Sequence, residues 1–234
     1  MLTMQVIPGL YQLTFRHANT FLIVEDSLTL IDTGFRGHTE GLLDFMSTPG
    51  KSASDIKLII LTHNHIDHTG GLAELKLLTN AQVAAPRIDF TLAKDVMPYP
   101  GGNYMGKVLQ APVFSSIRNR LVLGSKEIDV LLDGGEELPV LGGLRVMLTP
   151  GHTAGSISLY APRKKLIFVS DALSKRHGVL KLPLKTATSD ISQTIASARK
   201  MAELDIETIC FGHGRPVTGD IKGRFTRFLE TLEN

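Results

Sequence analysis

The sequence predicts a mixed α/β chain of two β-sheets with helices outside them, and three observations carry that expectation. Short apolar strand segments lead both halves of the chain, and the helices between them do not alternate with strands in a strict βαβα order. Four apolar strands each run straight into a residue able to hold a metal: Leu58–Leu61 into His63, Leu144–Leu148 into His152, Leu166–Val169 into Asp171 and Thr208–Phe211 into His213. If those strands share a direction, the four residues fall on one rim.

Composition narrows the class of protein. The 234 residues fit one domain, and a hydrophobic content of 43% suffices for a sizeable core. No apolar run approaches the roughly eighteen residues that a membrane span needs. The opening stretch from Met1 to Gly9 has neither the basic start nor the long apolar centre of a signal peptide. The one cysteine, Cys210, cannot form an internal disulfide and reads as a buried core residue. A net charge of +2 without a Lys/Arg block gives no reason to expect a nucleic-acid partner. The expectation is a cytoplasmic protein acting on a small molecule, with no nucleic-acid or membrane partner and with a homodimer left open.

Strand segments open the chain at Tyr11–Phe15, Thr20–Val24 and Leu28–Ile31, the last two joined by the tight Glu25-Asp26-Ser27 turn. A helix follows Gly37 and ends near Met46, before Thr48-Pro49-Gly50. Leu58–Leu61 is a wholly apolar run, as in a buried strand. The stretch from Thr62 to Gly71 then opens a helix through Leu78, and Val83–Ala85 resumes as strand. Residues 87–121 differ in character: helical segments are interrupted by Pro98, Pro100, Gly101-Gly102 and Pro112. Their apolar members include Val108, Leu109, Val113, Phe114 and Ile117, so the segment reads as core packing, a lid or a subunit surface. Strands return at Val130–Leu132, Leu144–Leu148, Ser156–Tyr160 and Leu166–Val169. A helix from Asp190 to Leu204 has a good capping start, the strand Thr208–Phe211 follows, and the last helix puts Ile221, Phe225, Phe228, Leu229 and Leu232 on one face.

Five of the eight histidines lie in three short motifs, each after a strand. In His63-x-His65 a period of two sends both side chains the same way while the chain is extended. Asp67 and His68 then turn into the next helix, so four ligand-type side chains leave one loop, and Gly70-Gly71 permits close backbone approach. Pro150-Gly151-His152-Thr153 and Gly212-His213-Gly214 are tight turns that each present one imidazole. Imidazole and carboxylate without thiolate suits zinc, iron or manganese, and argues against a cysteine-rich structural zinc site. His17, His38 and His177 lack such neighbours in sequence and read as non-ligands.

With His63, His65, Asp67 and His68 as an HxHxDH stretch, followed by His152, Asp171 and His213 in that order, the chain resembles the metallo-β-lactamase superfamily over nearly its whole length. The resemblance implies an αββα four-layer sandwich, a single domain over residues 1–234 with a helical insertion or lid at 87–121, and a site at one edge. It implies that His63, His65 and His152 hold a first metal, that Asp67, His68 and His213 hold a second, and that Asp171 bridges. The cofactor expected is two divalent ions, zinc first, with iron or manganese as alternatives. Asp32, in Ile31-Asp32-Thr33-Gly34, either orients a ligand or is a plain turn aspartate.

Two divalent ions against the carboxylates of Asp67 and Asp171 leave a positive centre that favours a hydroxide at neutral pH and stabilises a developing oxyanion. Asp67 is the candidate catalytic residue, placed to orient the attacking hydroxide. Asp171 stands where the best-known zinc β-lactamases carry Cys, and about 60 residues between His152 and His213 leave no room for the nuclease insertions of the superfamily. The pattern resembles the glyoxalase II-like hydrolases and lactonases. Standard glyoxalase II appends a glutathione-binding helical domain, whereas 21 residues follow His213 here. The expected activity is therefore metal-dependent hydrolysis of an ester, lactone or thioester, with Tyr99 and Tyr104 as hydroxyl donors at the mouth of the site. The alternatives are a mononuclear iron oxygenase like the persulfide dioxygenases, using His63, His152 and Asp171, and a non-catalytic binding module.

Overall fold

The computed structural model describes residues 1–16, 18–47, 50–91 and 127–233. Those up to Leu132 form one compact unit and those from Asp133 onward form a second.

The first unit is a seven-stranded sheet whose strands lie in sequence order: β1 (Leu2–Ile7), β2 (Leu10–Phe15), β3 (Ala18–Val24), β4 (Leu28–Ile31), β5 (Ile56–Ile60), β6 (Gln82–Pro86) and β7 (Val130–Leu132). β1 to β4 form an antiparallel meander, and β4 to β7 run parallel. The helices are α1 (Thr39–Ser47), α2 (Ile66–Thr69), α3 (Leu72–Leu78) and α4 (Arg87–Thr91). Alternation along the strands directs Leu28, Leu30, Ile59, Leu61, Val83 and Ala85 into one cluster with Leu42 and Met46 of α1, Leu72 and Leu75 of α3 and Phe90 of α4. Each such side chain contributes about 1.5–3 kcal/mol relative to exposure. The carboxyl ends of the parallel strands share one edge, so Asp32, the loop after β5 and the start of α4 emerge together.

Two elements differ from the sequence expectation. The helix expected through Leu78 is two helices, because Gly70 and Gly71 lie against the backbone of Thr33–Arg36. A Cβ on Gly70 would stand 2.7 Å from the Arg36 nitrogen, and one on Gly71 would stand 2.5 Å from the Thr33 carbonyl oxygen. The close approach expected of this pair is thus to the protein's own chain. β1 was not expected at all. Leu2, Met4 and Val6 alternate with Thr3 and Gln5, but the strand is largely exposed, and its pairing with β2 defines it.

The second unit is a six-stranded sheet in the order β15-β14-β11-β10-β9-β8, with a separate hairpin. Its strands are β8 (Glu137–Leu138), β9 (Leu144–Leu148), β10 (Ile157–Ala161), β11 (Leu166–Ser170), β14 (Thr208–Phe211) and β15 (Val217–Thr218), and the hairpin is β12 (Ser174–Arg176) with β13 (Val179–Lys181). The helices are α5 (Ile191–Ala202) and α6 (Ile221–Glu233). One sheet face, through Tyr160, Ile167, Val169, Ile209 and Phe211, packs with Ala198 and Met201 of α5 and with Ile221, Phe225 and Phe228 of α6. β10 is antiparallel to both β9 and β11, and β11 is parallel to β14. β9, β11 and β14 therefore share a direction, and the residues that follow them share a rim, as the sequence pattern implied.

Of the expected insertion at 87–121, residues 87–91 are the helix α4; the remainder, with Tyr99, Tyr104 and Phe114, lies outside the described residues. No helix among the described residues is long and apolar enough to cross a membrane.

Candidate metal centre

In the first unit β4 runs into Asp32, whose backbone turns into the left-handed region (φ 59°) and whose side chain is buried. Its carboxylate accepts three kinds of hydrogen bond. The Thr62 amide donates to Oδ1 at 2.8 Å, the Thr62 hydroxyl to Oδ2 at 2.8 Å, and His68 Nδ1 to Oδ2 at 2.7 Å. The last bond holds the His68 proton on Nδ1 and directs the lone pair of Nε2 outward. The Thr62 hydroxyl, having given its hydrogen to Asp32, accepts from His63 Nδ1 at 3.1 Å, which leaves the lone pair of His63 on Nε2 as well. One buried carboxylate thus sets the tautomer of two histidines. This decides between the two sequence readings of Asp32: it orients ligand-type side chains.

His63 Nε2 lies 3.1 Å from His65 Nδ1, with the ring centroids 4.7 Å apart. Two nitrogens bound to one tetrahedral zinc at about 2.0–2.1 Å each stand about 3.3 Å apart, so the spacing fits a shared ion. The His63 and His68 rings also meet, centroids 4.2 Å apart, and Asp67 Oδ2 lies 3.7 Å from His68 Nε2. Asp67 is the more accessible carboxylate, 23% exposed at its side chain against 4% for Asp32. Sequence reasoning missed the support beneath this loop. Asp89 of α4, itself buried, accepts from the Asn64 amide at 3.1 Å, and its carbonyl accepts from Asn64 Nδ2 at 3.2 Å. The amide between the two histidines of the HxH pair is therefore tied to a neighbouring helix. Thr62 and Asp89 belong to no motif, and only the fold connects them to the histidines.

In the second unit Asp171 Oδ2 stands 3.5 Å from His152 Nε2 and 3.2 Å from His213 Nε2. One carboxylate oxygen flanked by two imidazole nitrogens has the form of a bridging ligand. Backbone contacts hold the three residues in place. Gly151 adopts φ 136°, its carbonyl accepts from the Asp190 amide at 2.8 Å, and the His152 carbonyl accepts from the Ser189 amide at 3.1 Å. Asp190 also caps α5, accepting from the Gln193 amide at 3.0 Å, and those hydrogen bonds hold its carboxyl below the usual carboxylate range. Ser170, at φ 47°, turns the chain from β11 into Asp171, and its carbonyl accepts from the Gly212 amide at 2.9 Å.

The donor set of each unit is imidazole and carboxylate, with His63, His65, Asp67 and His68 gathered in the first and His152, Asp171 and His213 in the second, and such a set suits divalent ions. Cys210 takes no part; it is buried in β14, and burial pushes its thiol well above the ordinary range. His38 is structural: it stacks on Phe15 with centroids 4.5 Å apart and accepts from the Phe35 amide through Nδ1, and burial lowers its pKa. His177 sits in the turn of the β12–β13 hairpin at φ 50°, and His17 lies outside the described residues.

The family described as the metallo-beta-lactamase superfamily matches residues 13–213. The chain is 26% identical over 231 residues to the probable metallo-hydrolase YflN of Bacillus subtilis, covering 90% of this chain and 86% of that one. It is 32% identical over 156 residues to the hydroxyacylglutathione hydrolase of Bartonella tribocorum, covering 66% of this chain and 47% of that one, so about half of that relative is matched. Among solved structures, the metallo-beta-lactamase family protein TTHA1429 of Thermus thermophilus shares the fold, with a TM-score of 0.72, 23% identity, and coverage of 98% of this chain and 81% of that one. The chain belongs to the metallo-β-lactamase superfamily. The αββα fold class expected from the sequence is that of this family, and with histidine and aspartate donors in both units the chain is a metallo-hydrolase of the superfamily.

Proposed function

We propose that the protein hydrolyses an ester, lactone or thioester of a small molecule with two divalent ions, zinc by preference, in the manner of glyoxalase II-like enzymes. His63, His65 and His152 would hold one ion, Asp67, His68 and His213 the other, and Asp171 would bridge. The observation that carries this reading is the single oxygen of Asp171 flanked by two imidazole nitrogens, in a chain whose other ligand-type residues follow the superfamily's order. The likeness to a hydroxyacylglutathione hydrolase supports the thioester and ester classes.

When bound, the ions lower the pKa of water and offer positive charge to an oxyanion. The chain's own residues supply the rest. Asp32 and Thr62 fix the protons of His68 and His63 on Nδ1, so that both present Nε2. Asp89 holds the turn between His63 and His65. Asp67, accessible to water, accepts a proton from the attacking water at a carboxylate oxygen and orients it. On this reading the protein acts in the cytoplasm on a small molecule, without nucleic-acid or membrane partners.

Metal analysis of protein expressed without added metal tests the reading. Two zinc ions per chain, with hydrolysis of a thioester or lactone, support it; one iron and no hydrolysis would replace it by the oxygenase. In the hydrolase, Asp67→Asn lowers kcat by about a hundredfold with little change in KM. Near-full activity of that variant would remove the proton-handling role from Asp67.

A further inference from the structure

The described strands of the two main sheets leave four edges, and these are not alike. The edge strands β7, β8 and β15 have three, two and two residues. β7 is flanked by Asp129 and Asp133, and Glu137 of β8 is paired with Arg145 at 3.3 Å. Short strands and charged side chains are means by which a sheet edge is kept from pairing with another chain. β1 has neither. Its six residues, Leu2-Thr3-Met4-Gln5-Val6-Ile7, include no charge and no proline, and the first four are exposed. It bonds to β2 on one side, and among the described residues no other backbone group reaches its outer side. The bulge between Gln5 and Ile7 leaves Leu2 to Gln5 in regular register with β2.

The strand is also complementary to itself. Leu2 and Met4 share a face with their β2 partners Thr14 and Gln12 and are 72% and 38% exposed, and Val6 continues the alternation. Thr3 and Gln5 point to the opposite face. In an antiparallel pair, residues directly opposite each other lie on the same face. A two-fold axis through Met4, perpendicular to the sheet, therefore sets Met4 against Met4, Leu2 against Val6 and Thr3 against Gln5. Apolar residues meet apolar ones, polar residues meet polar ones, and no like charges meet. This register pairs all of Leu2–Val6, and a shift of the axis to Thr3 or Gln5 would pair fewer of them. A second copy supplies the matching pattern by symmetry.

We propose that β1 is the interface of a homodimer, in which the β1 strands of two copies pair antiparallel about Met4 and join the two seven-stranded sheets edge to edge. One such strand pair covers less than the ~1,200 Å² of a standard interface, so the dimer forms in the micromolar range. The proposal is independent of the hydrolase reading, because β1 carries none of the ligand-type residues.

Light scattering and sedimentation of the full chain from about 1 to 200 µM test it, with a passage from monomer to dimer expected over that range. Met4→Lys sets two like charges against each other at the axis and should weaken association about tenfold or more. Leu77→Lys, at an exposed leucine of α3, should leave it unchanged. A chain that stays monomeric at the upper concentration overturns the proposal, whatever else covers the edge. A dimer that Met4→Lys does not weaken overturns it as well. Cross-linking reads the register and stands independently of the lysine variant. Opposed residues of an antiparallel pair have Cα atoms about 4.5–5.5 Å apart, within reach of a disulfide. Met4→Cys should therefore give a disulfide-linked dimer under mild oxidation, and Thr3→Cys, whose symmetry mate lies two residues further along the partner strand, should give far less. Cys210 is buried and does not compete. Equal cross-linking of the two variants, or none in Met4→Cys, overturns the pairing about Met4.

Discussion

The two units present their ligand-type side chains by different means. In the first, four leave one ten-residue stretch from Thr62 to Gly71, and side-chain hydrogen bonds from Asp32, Thr62 and Asp89 set their orientation. In the second, three come from the ends of three strands that run in one direction, and each is aimed by the backbone: φ 136° at Gly151, φ 47° at Ser170 and φ 81° at Gly214. A local cluster can be tuned through protons and hydrogen bonds while the fold stays intact. A cluster assembled by topology depends on turns, and damage to a turn reaches the fold itself.

The largest effect is therefore expected at Gly151. A Cβ there would overlap the Thr194 hydroxyl and amide and stand 2.6 Å from the Thr194 Cα, which is backbone of α5 and cannot rotate away. The φ of 136° is also costly for any residue with a side chain. Gly151→Ala should lose about 3 kcal/mol or more of unfolding free energy in urea melts of the metal-free protein. A loss below about 1 kcal/mol would mean that the His152 turn yields easily, and the contrast between the units would collapse.

Asp32→Asn probes the other side of the comparison. Asparagine tolerates the left-handed backbone at this position, so the exchange alters the hydrogen-bond chemistry and spares the turn. An amide cannot accept from Thr62 and His68 as the carboxylate does, and the proton of His68 is no longer held on Nδ1. Zinc affinity, read by competition with a chromophoric chelator, should fall about 10–100-fold. Unchanged affinity would show that the first unit's geometry does not depend on that carboxylate.

The same contrast explains what was legible in the sequence. HxHxDH is readable because its residues are neighbours in the chain, and the capped helix α5 and the amphipathic helix α6 are readable because their signals are periodic. The common direction of β9, β11 and β14 was visible only as three apolar runs ending in ligand-type residues. Asp89 and Thr62 were invisible because their partners depend on how α4 and β4 pack. β1 and the β12–β13 hairpin escaped for a related reason. β1 alternates at Leu2, Met4 and Val6 but is short and largely exposed, and the hairpin strands have three residues each, with Lys175 and Arg176 where apolar residues would mark a strand. The break at Gly70-Gly71 was foreshadowed by its glycines, though the partner that needs them, Thr33–Arg36, lies more than thirty residues earlier.

The smallest effect concerns Ser170, which turns the chain from β11 into Asp171. Its φ of 47° places a residue with a side chain in the left-handed region, at a cost of about 1 kcal/mol relative to glycine. The hydroxyl complicates a direct comparison, since serine is buried here and its loss has an effect of its own. Ser170→Ala and Ser170→Gly both remove the hydroxyl and differ only in the Cβ. The glycine variant would be free of the left-handed penalty that the alanine variant keeps, partly offset by the greater chain entropy that glycine loses on folding. Ser170→Gly should therefore exceed Ser170→Ala in unfolding free energy by about 0.5–1 kcal/mol, with equal metal content in the two proteins. If the alanine variant is the more stable of the pair, the turn between β11 and Asp171 is not held left-handed, and the backbone account of how the second unit aims its ligand-type side chains fails at the residue next to the Asp171 carboxylate.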